Sequence, residues 1–254
     1  MKKVSLFAQT LLAAILLVGC QFSEDLHINE DGSGKISFNF DGSEIMQIAG
    51  DKVTEEKEEI IDSTLVFKEF LEEKKDSIAQ LPPEEQEKLK KLENFKMHML
   101  MNPESKEMKF DLYSEFKSVE ELGDVFNNFK TASAIGNKNK AGQTASPAGD
   151  PLSNAEGEDP TRVVYSYKKN KFKRVTQILD RAKLKKSLDS IEQMKMFLAS
   201  SKYKINYHFP KKIKKISSEK ALFSQDGKSF TLEVGFLEYM ENPKVLDVEV
   251  ELEK

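Results

Sequence analysis

The chain has 254 residues, with 39 Lys+Arg against 43 Asp+Glu and a formal net charge of −4. That length suits one large domain or two small ones. A single cysteine excludes an intramolecular disulfide framework, and the absence of tryptophan removes the indole platform on which sugars often stack.

Lys2 and Lys3 open the chain, and residues 6–18 form an apolar run broken only by Gln9 and Thr10. That is the pattern of an export signal, and it is too short to span a bilayer stably. Leu17-Val18-Gly19-Cys20 closes the run. This stretch resembles the lipobox of bacterial lipoproteins. The resemblance implies cleavage before Cys20, a diacylglycerol on its thiol, and acylation of the new amino terminus. One acyl chain anchors marginally, whereas two or three hold at about 0.8 kcal/mol per buried CH₂. The alternative is an ordinary cleaved signal with an incidental cysteine, or a buried core thiol. The division expected is a signal over 1–19 and one envelope domain over 20–254.

Gln21 occupies the position where, in enterobacterial lipoproteins, an Asp favours inner-membrane retention. The absence of Asp there points to the outer membrane, where the cell has one. Glu24 and Asp25 resemble the acidic stretch that sends some Bacteroidota lipoproteins to the cell surface; a plain acidic tether is the other reading. Without the signal the chain carries 37 basic and 43 acidic residues. Residues 20–135 have a net charge of −13 and residues 136–254 a net charge of +7. Opposite halves can attract each other, or the basic half can face anionic lipid or glycan. Nucleic acid is not expected as a partner of an exported, net acidic protein.

In chain order, Leu26-His27-Ile28 leads through Asp31-Gly32 into an alternation with Ile36, Phe38 and Phe40 on one face. Asp-Gly between two such runs predicts a hairpin. A calcium loop is the functional alternative for Asn29, Glu30 and Asp31, but the spacing is not that of an EF-hand. Ile60, Ile61, Leu65, Phe67, Leu71 and Ile78 predict a helix ended by Pro82-Pro83, with a short helix over 84–92.

Met97, Met99 and Met101 alternate with Lys96 and His98. Beyond the Asn102-Pro103 turn, Met108, Phe110 and Leu112 alternate with Lys109 and Asp111. This predicts a second hairpin. Its apolar stripe of Met97, Met99, Met101, Met108 and Phe110 is either core or the lining of an adaptable apolar pocket. Ser118 to Glu121 has the form of a capping box opening a helix with Val119, Leu122, Val125, Phe126 and Phe129 inside. Residues 136–160 hold one large aliphatic, Leu152, and no aromatic. They are expected to form a disordered loop.

Val163, Tyr165 and Tyr167 begin a strand, followed by a turn at 168–170 and a strand through Phe172 to Val175. A helix is expected over about 176–199. Tyr203, Ile205, Tyr207 and Phe209 alternate with polar residues up to Pro210. Asp226-Gly227 marks another hairpin, and residues 246–252 alternate as the last strand. The sum is an α+β protein: an antiparallel sheet of about 8–9 strands with about 3–4 helices packed on one face.

The chemistry-bearing motifs are sparse. His27, His98 and His208 each stand alone in the sequence, so no metal site is expected. There is no phosphate loop and no nucleophile elbow, so no cofactor and no enzyme are expected; a hydrolase built on a carboxylate pair is the minor alternative. Lys168, Lys169, Lys171, Lys173 and Arg174 cluster at one turn, and Lys211, Lys212, Lys214 and Lys215 follow Pro210. If both turns share one end of the sheet, they form a rim for an anionic ligand; the plain alternative is a solvated surface.

Cys20 with Leu26-His27-Ile28-Asn29-Glu30-Asp31-Gly32-Ser33-Gly34-Lys35, Tyr207-His208-Phe209-Pro210 and Gln225-Asp226-Gly227-Lys228 is similar to a family of uncharacterised Bacteroidota lipoproteins. The start also resembles, more distantly, the LppM-type lipoproteins. These resemblances imply a lipid-anchored envelope protein that binds a lipid, glycolipid or envelope protein. They bring no catalytic residues with them.

Overall fold

The computed structural model describes residues 21–49, 60–122, 125, 128, 160–192 and 195–254. The signal segment, Cys20 and residues 136–159 of the expected loop lie outside them. The described elements run β1 (Gln21–Ile28), β2 (Gly34–Asp41), α1 (Ser43–Ala49), β3 (Ile61–Val66), α2 (Phe67–Glu73), α3 (Lys75–Ile78), α4 (Pro83–Lys90), β4 (Phe95–Asn102) and β5 (Glu107–Phe116). A 3-10 turn (Val119–Leu122) follows, then β6 (Thr161–Lys168), β7 (Lys171–Ile178), α5 (Arg181–Ser190), α6 (Lys195–Leu198), β8 (Lys202–His208), β9 (Ile213–Ile216), β10 (Leu222–Phe223), β11 (Ser229–Gly235), α7 (Phe236–Glu241), a second 3-10 turn (Pro243–Leu246) and β12 (Val248–Leu252).

The class is α+β, and the sheet component is larger than expected. One sheet has eight strands in the order β10-β11-β8-β1-β2-β5-β4-β3, and a second has four, β6-β7-β12-β9. What covers the large sheet is therefore the small sheet together with helices. The pairing is antiparallel throughout except between β1 and β8, which run parallel. Turn signals report only neighbours in sequence, and this pair is joined through everything between residues 28 and 202.

Alternation built the large sheet as expected. Ile36, Phe38, Leu112, Phe95, Ile205, Tyr207, Phe230 and Leu232 fill its inner face and are buried. Each such side chain contributes about 1.5–3 kcal/mol by leaving water. Phe172, Val248, Val250 and Leu252 of the small sheet join the same core. The Asp31-Gly32 and Asp226-Gly227 turns hold glycines at φ 86° and 68°. At Gly34 a Cβ would lie 2.0 Å from the His27 carbonyl oxygen, so the β1–β2 hairpin closes too tightly for a side chain.

Three expectations are corrected. Residues 61–66 are the edge strand β3, paired with β4, and the helix starts only at Phe67. Ile60, Ile61 and Leu65 fit a strand as well as a helix, and pairing with β4 decides between them. Between 176 and 199, β7 continues to Ile178, Asp180 caps α5 through the Ala182 and Lys183 amides, and α5 stops at Ser190. Finally, Pro160, taken as the end of the loop, is buried, and its carbonyl accepts from the amides of Leu179 and Asp180.

Candidate functional site

Alternation on β1 sets Phe22, Glu24, Leu26 and Ile28 on the inner face. Glu24 thus enters an apolar layer, opposite Phe38 on one side and Ile205 on the other. Alternation on β7 does the same with Phe172, Arg174 and Thr176. Glu24 and Arg174 are both 0% exposed and meet between the two sheets. Arg174 donates from Nη2 at 3.1 Å and from Nε at 3.3 Å to Glu24 Oε2. The Tyr165 hydroxyl donates to Oε1 at 2.6 Å, the Tyr207 hydroxyl also donates to Oε1, and the Tyr203 hydroxyl lies 3.5 Å from Oε2.

The guanidinium's remaining donors turn the other way. Nη1 lies 3.5 Å from both Thr176 Oγ1 and the Leu246 carbonyl. Burial works against the charge on Arg174, but the Glu24 carboxylate together with the oxygens of Tyr207, Tyr165 and Tyr203 outweighs it and holds the guanidinium firmly protonated. Burial, followed by the Glu24 charge, pushes Tyr165, Tyr203 and Tyr207 well above the usual tyrosine range. The cluster is a satisfied polar network tying the sheets together.

This overturns two readings. Arg174 is no part of a solvent-facing rim. Glu24 and Asp25 are no tether, because both lie within β1. The sequence did carry a signal: from Phe22 onward Glu24 falls on the apolar phase of the strand. A buried charge at such a position demands a partner of opposite sign.

The other members of the expected rim are brought together. The β6–β7 turn and the segment after Pro210 meet around Glu253. Its carbonyl accepts from Asn170 Nδ2 at 3.2 Å, and its amide donates to the Lys212 carbonyl at 2.9 Å. Both lie at the Ile28 end of the sheets, where Phe172 packs edge-on against Phe209. Lys173 pairs with Glu249 across β7 and β12, and Lys214 with Glu251 because 213–216 is the strand β9 on the other side of β12; each distance is 2.6 Å. Glu251 is held below, and Lys214 above, its usual range by that pairing. Lys168, Lys169, Lys171, Lys211, Lys212 and Lys215 remain as the cationic set.

The methionine stripe is divided. Met101 and Met108 are buried with Phe40 and Met46, and Phe22 and Phe110 pack on them. Met97 packs on the main core, and Met99 is half-buried beside Phe110. Met101, Met108 and Phe110 thus belong to a small satellite core, and Met97 to the edge of the main one.

The histidines do not stand alone. His98 Nε2 lies 2.9 Å from Asp62 Oδ1, and Nδ1 lies 3.7 Å from Asp111 Oδ2. The Asp62 hydrogen bond raises its pKa above 6.5, with Asp111 adding to the effect. His27 and His208 face each other on β1 and β8 with ring centroids 5.7 Å apart. Sequence spacing could not show these pairings, which need the register of β3, β4 and β5 for His98 and of β1 and β8 for the other two. On the same outer face, Asp25 accepts from Ser23, Asn39 and Asn206 at 2.9–3.0 Å. Among the described residues no group of three His, Cys, Asp or Glu could hold a metal, and no helix is long and apolar enough to cross a membrane.

No family model matches the chain, and no curated protein matches it. The resemblance to uncharacterised Bacteroidota lipoproteins therefore rests on the residues quoted for it. Among solved structures, the chain is similar to the folded domain of LppM from Mycobacterium tuberculosis. The TM-score is 0.34 with 4% identity, covering 92% of this chain and 88% of that one.

Proposed function

We propose that the chain is a non-enzymatic, lipid-anchored protein of the cell envelope, in the outer membrane where the cell has one. Its domain binds an anionic lipid or glycolipid at the lysine rim. The lipobox-like Leu17-Val18-Gly19-Cys20 supports the anchor. One observation carries the binding site: two lysine-rich turns, forty residues apart in sequence, converge on Glu253 at one end of the sheets. Arg174 lies beneath them and fixes the two sheets against each other through Glu24.

The rim lies at the end of β1 away from Cys20. Eight extended residues span about 25 Å. An anchor on Cys20 therefore leaves the rim facing away from the anchoring bilayer, and the ligand reaches it from the space beyond. Among the described residues Glu24 is the one buried carboxylate, and its engagement by Arg174 and the tyrosines supports a binding role over hydrolysis.

A second reading is a scaffold or assembly factor. It is favoured by the edge strand β10, which exposes Leu222 at 72% and Phe223 at 53%. Mass spectrometry of organic extracts from the gently purified full chain separates the two. A stoichiometric lipid absent from a control protein supports the first. A clean extract, with crosslinks from β10 to another envelope protein, supports the second.

A further inference from the structure

The starting end of β1 has a surface of its own. Gln21 directly follows Cys20 and pairs with Asp41 on one side and Lys202 on the other. Lys202 pairs with Gly235, so α7 starts at this end, and the Phe236 amide donates to the Ser201 carbonyl at 2.9 Å. In the small sheet, β7 runs from Phe172 near Phe209, past Arg174 below Glu24, to Thr176, whose hydroxyl donates to the Pro243 carbonyl at 3.3 Å. Its far end, with Leu179 and α5, thus points to the same end of the molecule. Helices α5 and α6 both touch α7.

At this end helix α5 is basic, its neighbour α7 carries Glu238 and Glu241, and part of the surface is apolar. Arg181, Lys183, Lys185 and Lys186 are exposed on α5, and no ion pair among the described residues engages them. Leu179 is 46% exposed, and Met196 on α6 is 82% exposed. A methionine so open to water, beside a cationic helix, contributes nothing to the core.

We propose that this end is a bilayer-docking face, with an anionic membrane surface as its occupant. The proposal rests on the lipid-anchor reading. No residue separates Cys20 from β1, so acyl chains on Cys20 hold this end at the headgroups without a tether. The four cations of α5 then meet anionic headgroups, and Leu179 and Met196 enter the boundary between headgroups and acyl chains. The anchor supplies one membrane signal, and basic α5 with Leu179 and Met196 supplies the second, which fixes the orientation of the domain.

The absence of tryptophan makes the test direct. Met196→Trp in the full acylated chain gives a single reporter, and Lys228→Trp gives one at the opposite end. Both are reconstituted in phosphatidylglycerol–phosphatidylcholine vesicles carrying brominated acyl chains. Trp at 196 is expected to shift to the blue and to be quenched at least threefold more than Trp at 228. Adding Lys183→Glu, Lys185→Glu and Lys186→Glu is expected to halve that quenching. Equal quenching at both ends, or no quenching at 196 in protein that is acylated and vesicle-bound, overturns the docking face and leaves the anchor standing. A blue shift at 196 without vesicles overturns it in favour of a protein contact. An unacylated Cys20 peptide in the mass spectrum removes the anchor reading itself.

Discussion

Glu24 on the first strand and Arg174 on the seventh meet at 3.1 Å between two sheets, with neither residue exposed to solvent. They are 150 residues apart in sequence. Three tyrosine hydroxyls complete the carboxylate's contacts.

Breaking that pair from either side leaves a buried charge without its counterion. Glu24→Ala or Arg174→Ala is expected to lower stability by about 3–5 kcal/mol, measured by urea unfolding. Replacing both with apolar residues of similar volume, Glu24→Leu with Arg174→Met, is expected to recover part of the loss, because no charge is then left unpaired although the buried tyrosine hydroxyls lose their acceptor. A double variant as unstable as the two singles added together would refute this assignment.

The same cluster sets the response to alkali. Tyr165, Tyr203 and Tyr207 keep their protons in the folded chain beyond the pH at which the unfolded chain loses them. Above about pH 10 the unfolded state thus binds fewer protons, and stability falls as pH rises. Tyr203→Phe removes one such group. It is expected to flatten the decline above pH 10 by about 1.4 kcal/mol per pH unit, as read from unfolding midpoints between pH 9 and 11.

His98 gives a signal near neutrality. Its folded pKa is raised above 6.5, first by Asp62 and then by Asp111. Its contribution to stability is present below that value and is lost as pH rises through the folded pKa. A proton NMR titration is expected to place the His98 inflection above 6.5, and Asp62→Asn is expected to move it down. An inflection that Asp62→Asn leaves unchanged would rule out the pairing.

The rim predicts charge-dependent binding. Lys171→Glu with Lys212→Glu is expected to weaken retention of short-chain phosphatidylglycerol by about tenfold and to flatten its salt dependence. Lys173→Gln, whose partner is Glu249, is expected to change it far less. Surface plasmon resonance on the two variants compares them directly.

Several elements were legible in the sequence. The alternation over residues 203–209, the methionine hairpin and both Asp-Gly turns state their strands locally, through period and φ. The lysine turns were visible as charge clusters, though not their convergence around Glu253. Glu24 was missed because a carboxylate on the apolar phase of β1 makes the strand look as if it starts at Leu26. Strand β9 was missed because Lys214 and Lys215 interrupt Ile213 and Ile216, and its partner β12 lies more than thirty residues on. The division into two sheets leaves no local trace, since inner-face alternation is the same in each. The histidine pairs likewise exist only once the register is set.

The most direct test of the account is the mass of the N-terminal tryptic peptide from the membrane fraction, together with fractionation of Cys20→Ala. The account predicts a peptide of residues 20–35 that begins at Cys20 and carries diacylglycerol and an amide-linked acyl chain, and it predicts release of Cys20→Ala by carbonate. An unmodified Cys20 peptide, or a Cys20→Ala chain still bound to membrane after the carbonate wash, would contradict it.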